Sequence, residues 1–152
     1  MVILMDHEKY VKFIDILKRE LVPALGCTEP ISIAYVAAKA REVLGKFPDR
    51  IITECSGNII KNTKSVIVPG TKNLKGIEAA AIIGAVGGDA SKELEVLENI
   101  TEEDVELTKK LIKEHICKTK LLKSKAKLHI IITMFKDNEY ALVEAVHTHT
   151  GI

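Results

Sequence analysis

The stretch Ala126-Lys127-Leu128-His129-Ile130-Ile131-Ile132-Thr133-Met134-Phe135 runs into Lys136-Asp137-Asn138-Glu139, followed by Tyr140-Ala141-Leu142-Val143-Glu144-Ala145-Val146-His147-Thr148. The outer runs are apolar or alternate polar with apolar, as strands do, and the four polar residues between them read as a hairpin loop. An antiparallel pair is therefore expected at this end. Ahead of it, Thr101-Glu102-Glu103-Asp104 resembles a capping box with Asp in the Glu/Gln place. It predicts a helix with Leu107, Leu111 and Ile112 toward the core, and with His115 and Cys117 late in its charged run as packing or surface positions.

Further back, Ile77–Val86 reads as a buried small-residue helix ended by Gly87-Gly88, and Pro69-Gly70 as a turn. Ile51–Thr53 and Val66–Val68 are β-branched runs, predicting two short strands around a polar turn from Ser56 to Asn62. An alanine-rich helix is expected to open near Thr28 to Pro30 and to run to Gly45, since proline costs nothing in a first helical turn. Before it, Asp6 is a plausible N-cap, and Tyr10, Phe13, Ile14, Leu17 and Leu21 recur at helical spacing, predicting a helix to about Val22. Helices and strands fall in separate groups. The expectation is one α+β domain over residues 1–152, with helices packed on a small antiparallel-dominated sheet.

With 152 residues, 47% hydrophobic and 28% charged, the chain is neither a disordered segment nor a disulfide-rich miniprotein. A formal charge of +1, with lysines interspersed among glutamates, implies no field that would gather nucleic acid. The longest apolar runs fall well short of the roughly 20 residues that span a bilayer, so no membrane partner is expected. Three widely spaced cysteines suit a reducing compartment, and the expected location is cytoplasmic.

Gly26-Cys27-Thr28-Glu29-Pro30 places a cysteine at the opening of a helix, where free N–H groups and the macrodipole stabilise a thiolate. Soft thiolates suit iron–sulfur clusters or zinc, but a cysteine beside Gly26 also suits a small apolar gap. Ser56, Asn58, Lys61 and Asn62 offer hydroxyl, amide and ammonium donors that suit a carboxylate or another polar substrate group. The same residues are ordinary turn vocabulary, so both readings stand. Gly84, Gly87 and Gly88 fall at a helix end, which excludes a dinucleotide fingerprint. His147 and His149 alternate along a strand and suit a zinc ion if a third ligand such as His129 joins them, the arrangement of a zinc hydrolase. Cys55, at a strand end beside the polar turn, is open in role.

Taken in order, the segment Leu21 to Pro30 ending in Cys27-Thr28-Glu29-Pro30, Ser56-Gly57-Asn58-Ile59-Ile60-Lys61-Asn62, Val68-Pro69-Gly70-Thr71, the Ala79–Gly88 helix and the ending His149-Thr150-Gly151-Ile152 resemble the L-cysteine desulfidase family, which is related to the α-chain of iron–sulfur L-serine dehydratases. The resemblance implies a four-iron four-sulfur cluster held by three cysteines, acting without pyridoxal phosphate in amino-acid catabolism. Such a lyase eliminates hydrogen sulfide from L-cysteine, leaving pyruvate and ammonia, with an open iron serving as Lewis acid toward the leaving sulfur. It further implies that Cys27 is this chain's cluster ligand and that Ser56, Asn58, Lys61 and Asn62 contact substrate or order the site. It names no catalytic base. Family members are longer, and their other two cluster cysteines, which Cys55 and Cys117 do not match, lie in a C-terminal part. This chain is thus expected to need that part, or a partner chain carrying it. The alternative is a noncatalytic small-molecule-binding or assembly module that retains the fold.

Overall fold

The computed structural model describes residues 2–5, 8–14 and 28–147. Its strands are β1 (Val2–Met5), β2 (Glu8–Ile14), β3 (Arg50–Ser56), β4 (Cys117–Leu122), β5 (Leu128–Lys136) and β6 (Glu139–His147), joined in one sheet of order β1-β2-β6-β5-β3-β4. Three of the five strand pairs are antiparallel, while β2–β6 and β3–β4 are parallel. The helices are α1 (Thr28–Leu44), α2 (Gly57–Thr63), α3 (Gly76–Gly87) and α4 (Glu102–Lys113), with a 3-10 turn at Ala90–Glu95. The α+β expectation holds.

One sheet face is sealed by helices. Ile51, Thr53 and Cys55 alternate inward on β3, with Leu128, Ile130, Ile132 and Met134 on β5 and Ala141, Val143 and Ala145 on β6, all buried. Each fully buried isoleucine or methionine contributes about 1.5–3 kcal/mol relative to exposure. Helix α1 covers β6, β5 and β2, α3 packs beside it toward β3 and β4, and α4 packs on α3. The α1–α3 contact is backbone-close, since a Cβ added at Gly84 would stand 2.3 Å from the Ala34 carbonyl oxygen. Alanines and glycines permit that approach, which is why this apolar pair carries so few large side chains.

Several local expectations are met. α1 opens at Thr28 and its last turn passes into Gly45, which adopts φ +83. α3 ends at Gly87, with the Gly88 N–H donating to the Gly84 carbonyl. In α4 the Asp104 N–H donates to Thr101 Oγ1 at 3.1 Å and the Thr101 N–H to Asp104 Oδ2 at 2.9 Å, so the capping box closes with aspartate in the third position.

Other expectations are corrected. Glu8–Ile14 is a strand rather than the start of a helix, paired in parallel with Tyr140–Val146. Its Tyr, Val, Phe and Ile are strong strand formers, and tertiary pairing overrides a short helical spacing. The expected N-cap Asp6 and the segment 15–22 lie outside the described residues. The hairpin loop is two residues, Asp137-Asn138, because Lys136 and Glu139 pair across it, and Asp137 supplies the positive φ of 54 that so tight a turn needs. Leu107 is 42% exposed, and Thr108 takes the buried position between half-buried Val105 and Leu111. α4 stops at Lys113, and Cys117 belongs to β4, not to the charged helix.

Candidate functional site

The strand directions determine which segments meet. Asp49 N–H donates to the Phe135 carbonyl and Lys46 pairs with Glu139 at 3.3 Å, so the C-terminal end of α1 sits by the β5–β6 turn. At about 1.5 Å per residue, a helix of 17 residues then starts at the opposite edge of the sheet. That edge holds the carboxyl ends of β2, β3, β4 and β6, by the registers Ile14↔Val146 and Ser56↔Leu122 and the pairing of Leu128 with His147. Helix α2 leaves from it directly after Ser56 and packs against α1. The Thr28-Glu29-Pro30 helix opening and the Ser56-to-Asn62 segment therefore share one edge.

The polar segment is not a turn between strands. Ser56 ends β3, and Gly57–Thr63 is helical, with Ile59 and Thr63 one turn apart and both buried. Val66–Val68 forms no strand. Only the isolated bridge Ile67↔Lys75 forms there, because Pro69 lacks a donor and Gly70, at φ +84, reverses the chain. Ser56 is buried, whereas Asn58, Lys61 and Asn62 are exposed along α2, with Asn58 Nδ2 donating to the Lys127 carbonyl at 3.5 Å. Cys27 lies outside the described residues. The Pro69-Gly70-Thr71 turn is tied by the Thr71 hydroxyl, which donates to the Val68 carbonyl at 2.6 Å. With Lys72, Asn73 and the opening of α4 it lines a cleft of about 340 Å³, which the sequence did not announce.

Cys55 and Cys117 are buried in the core, where desolvation pushes each thiol up to about 12. Thr53 Oγ1 lies 3.5 Å from Cys117 Sγ. Thiols held protonated in this way are poor ligands, and among the described residues no three His, Cys, Asp or Glu side chains gather as a metal site. A cluster held by three cysteines therefore does not fit the described residues on their own. Both ring nitrogens of His129 are engaged, Nδ1 with Ser124 Oγ at 2.8 Å and Nε2 with Glu144 Oε2 at 2.7 Å, so His129 does not serve as the third zinc ligand. The register sets His147 across from Leu128 instead, and His149 lies outside the described residues.

The chain is 66% identical over 143 residues to a protein of Lachnoclostridium phytofermentans, covering 94% of this chain and 34% of that relative. Relatives from Treponema denticola (51% identical over 148 residues, 97% of this chain and 34% of the relative) and Finegoldia magna (50% over 141 residues, 92% and 34%) follow. All three are named UPF0597 proteins. The chain spans about a third of the length of these UPF0597 relatives. No family model and no solved structure matches it. Among the described residues, no helix is long and apolar enough to cross a membrane.

Two groupings are not legible in the sequence. Glu29 lay inside the Cys-Thr-Glu-Pro motif but drew no role. The Ser124–His129–Glu144 chain arises only from the β5–β6 register, which sets Glu144 beside Ile131, diagonal to His129 on the same sheet face.

Proposed function

We propose that this chain forms the N-terminal part of an iron–sulfur-dependent lyase that degrades L-cysteine to pyruvate, ammonia and hydrogen sulfide. The supporting observation is that the Thr28-Glu29-Pro30 helix opening and Ser56 share one sheet edge, although the rest of α1 and β3 separate them in sequence. Thr28-Glu29-Pro30 opens α1 there, and Ser56 leads into α2 at the same edge.

In such an elimination a base removes the α-proton of cysteine, and the Cβ–S bond breaks with its electron pair leaving on sulfur. The resulting 2-aminoacrylate tautomerises to an imine, which one water hydrolyses to pyruvate and ammonia. Lys61, with Asn58 and Asn62, supplies cation and amide donors for the substrate carboxylate, holding the amino acid in register for proton removal. Ser56 stands at the α2 entry, at the edge where the substrate is held. Cys27 is the ligand this chain offers to a cluster, and the remaining ligands come from outside the chain. The substrate, cluster and cytoplasmic location belong to this proposal.

The test is anaerobic reconstitution with iron and sulfide of this chain alone and of the assembled protein. This chain alone is expected to bind little iron, while the assembled protein gains the cluster spectrum and releases sulfide and pyruvate from L-cysteine. Lys61→Ala and Asn62→Ala are expected to lower turnover strongly and leave the spectrum unchanged. A full cluster on this chain that survives Cys27→Ala would overturn the ligand assignment. A second reading, a noncatalytic binding or assembly module, is favoured by the ligand count, since two of the chain's three cysteines are buried thiols. Amino-acid binding without iron uptake or sulfide release by the assembled protein would select it.

A further inference from the structure

Among the described residues, three buried side-chain oxygens have no hydrogen-bond partner: Glu29 Oε1, Ser56 Oγ and Thr63 Oγ1. Buried polar atoms are nearly always paired, and each exception carries an uncompensated desolvation cost. Glu29 lies in the first turn of α1 and Ser56 ends β3, the two positions that share the carboxyl edge of the sheet, while Thr63 is the last residue of α2. Elsewhere hydroxyls in comparable positions are used: Thr101 caps α4, and the Thr108 hydroxyl donates to the Asp104 carbonyl at 2.8 Å.

Ser56 is the clearest case. It occupies the N-cap position of α2 with φ −60 and ψ 154, the backbone geometry from which a serine ordinarily accepts a helix N–H, yet it makes no side-chain cap bond. It is only 1% exposed, so bulk water does not satisfy it. A carboxylate oxygen accepts and never donates, whereas a hydroxyl can do either. A single group that satisfies both Glu29 and Ser56 needs several donors, and a positively charged one suits a carboxylate best. An ammonium group has three N–H donors and that charge.

We propose that Glu29 and Ser56 form the ammonium-binding half of an α-amino-acid site, with the donors of α2 facing the carboxylate half. This deepens the lyase reading and rests on it for the amino-acid identity of the ligand, although not for the amine. Glu29 is the substrate-binding residue added here. A dipolar amino acid thereby meets an anion at its amine and the Lys61 cation at its carboxylate, which gives orientation as well as affinity.

The test uses calorimetric titration of the assembled protein with L-cysteine, with L-alanine as an unreactive amino acid, and with 3-mercaptopropionate, which lacks the amine. Glu29→Gln keeps the shape of the side chain and removes its charge. It is expected to weaken L-alanine and L-cysteine at least tenfold and to leave 3-mercaptopropionate unchanged, while raising KM for L-cysteine more than it lowers kcat. Ser56→Ala is expected to give a smaller change in the same pattern, and it carries the test if Glu29→Gln does not fold. Equal weakening of all three ligands, no weakening of any, or loss of kcat at unchanged KM with slowed α-proton exchange would each overturn the assignment. Tight binding of a divalent metal ion that Glu29→Gln abolishes, with amino acids unaffected, would also overturn it. Failure of the lyase reading looks different: no sulfide or pyruvate forms, while amine-dependent binding of L-alanine through Glu29 persists.

Discussion

Gly84 lies directly against Ala34, and a Cβ on Gly84 would come within 2.3 Å of the Ala34 carbonyl oxygen and 2.7 Å of its Cα. Backbone atoms cannot rotate aside as a side-chain tip can. Gly84→Ala is therefore expected to lower unfolding free energy by about 3 kcal/mol, the upper part of the usual range for overpacking. Gly57 serves as the control, because a Cβ there would meet only Leu121 Cδ1 at an ordinary 3.7 Å. Gly57→Ala should be neutral or stabilising by up to about 1 kcal/mol, since alanine favours a helix. Urea melts of both variants measure the contrast.

The two core thiols predict a labelling pattern. With Cys55 and Cys117 held protonated by burial, a thiol reagent at pH 8 should modify these two only in denaturant. Fast labelling of Cys55 or Cys117 in the folded chain would contradict their packing.

The same burial gives a pH dependence. Each folded-state value is raised from 9.0 to about 12, so the protonated form is the one the fold favours. The stability it contributes is complete below pH 9 and is lost as pH rises from there toward 12, at a slope on the order of 1.4 kcal/mol per pH unit for each thiol. Urea midpoints from pH 8 to 11 should fall more steeply for the native chain than for the Cys55→Ala/Cys117→Ala variant.

Thr101 and Asp104 cap α4 reciprocally. Thr101→Ala should cost about 1 kcal/mol, in line with lost N-caps elsewhere. Asp104→Ala should cost a similar amount, and the double variant less than the sum, because each substitution removes part of one shared device.

His129 and Glu144 form a partly buried pair at 2.7 Å, with side chains 18% and 15% exposed. A double-mutant cycle with His129→Ala and Glu144→Ala should return a coupling of about 1.5–3 kcal/mol, typical of a hydrogen bond to a charged partner. A coupling near zero would make the contact incidental.

Legibility in the sequence followed how local each signal was. The α1 opening at Thr28, the capping box at Thr101 and the helix stop at Gly88 rest on residues within a turn of one another, and all three form as read. Glu8–Ile14 was misread because its strand identity comes from a partner at Tyr140–Val146 that no local window contains. β4 was missed because alternating lysines on an edge strand look like the solvated face of a charged helix. At the candidate site, residue types such as Ser56 and Lys61 were visible. That the hydroxyl of Ser56 is buried and left without a partner was not, since burial is a property of the packed edge rather than of the residue.

The parallel pairing of β2 with β6 also governs the order of assembly. During synthesis Glu8–Ile14 leaves the ribosome long before Tyr140–Val146 exists, so β2, and β1 through it, waits without its sheet partner until the hairpin is made. Helix α1 likewise emerges ahead of the β5 and β6 surface it covers. A truncation ahead of Glu139 would therefore remove more than one strand. It would leave β5 with a bare edge and detach both N-terminal strands from the sheet, turning a loss at one end of the chain into a loss at the other.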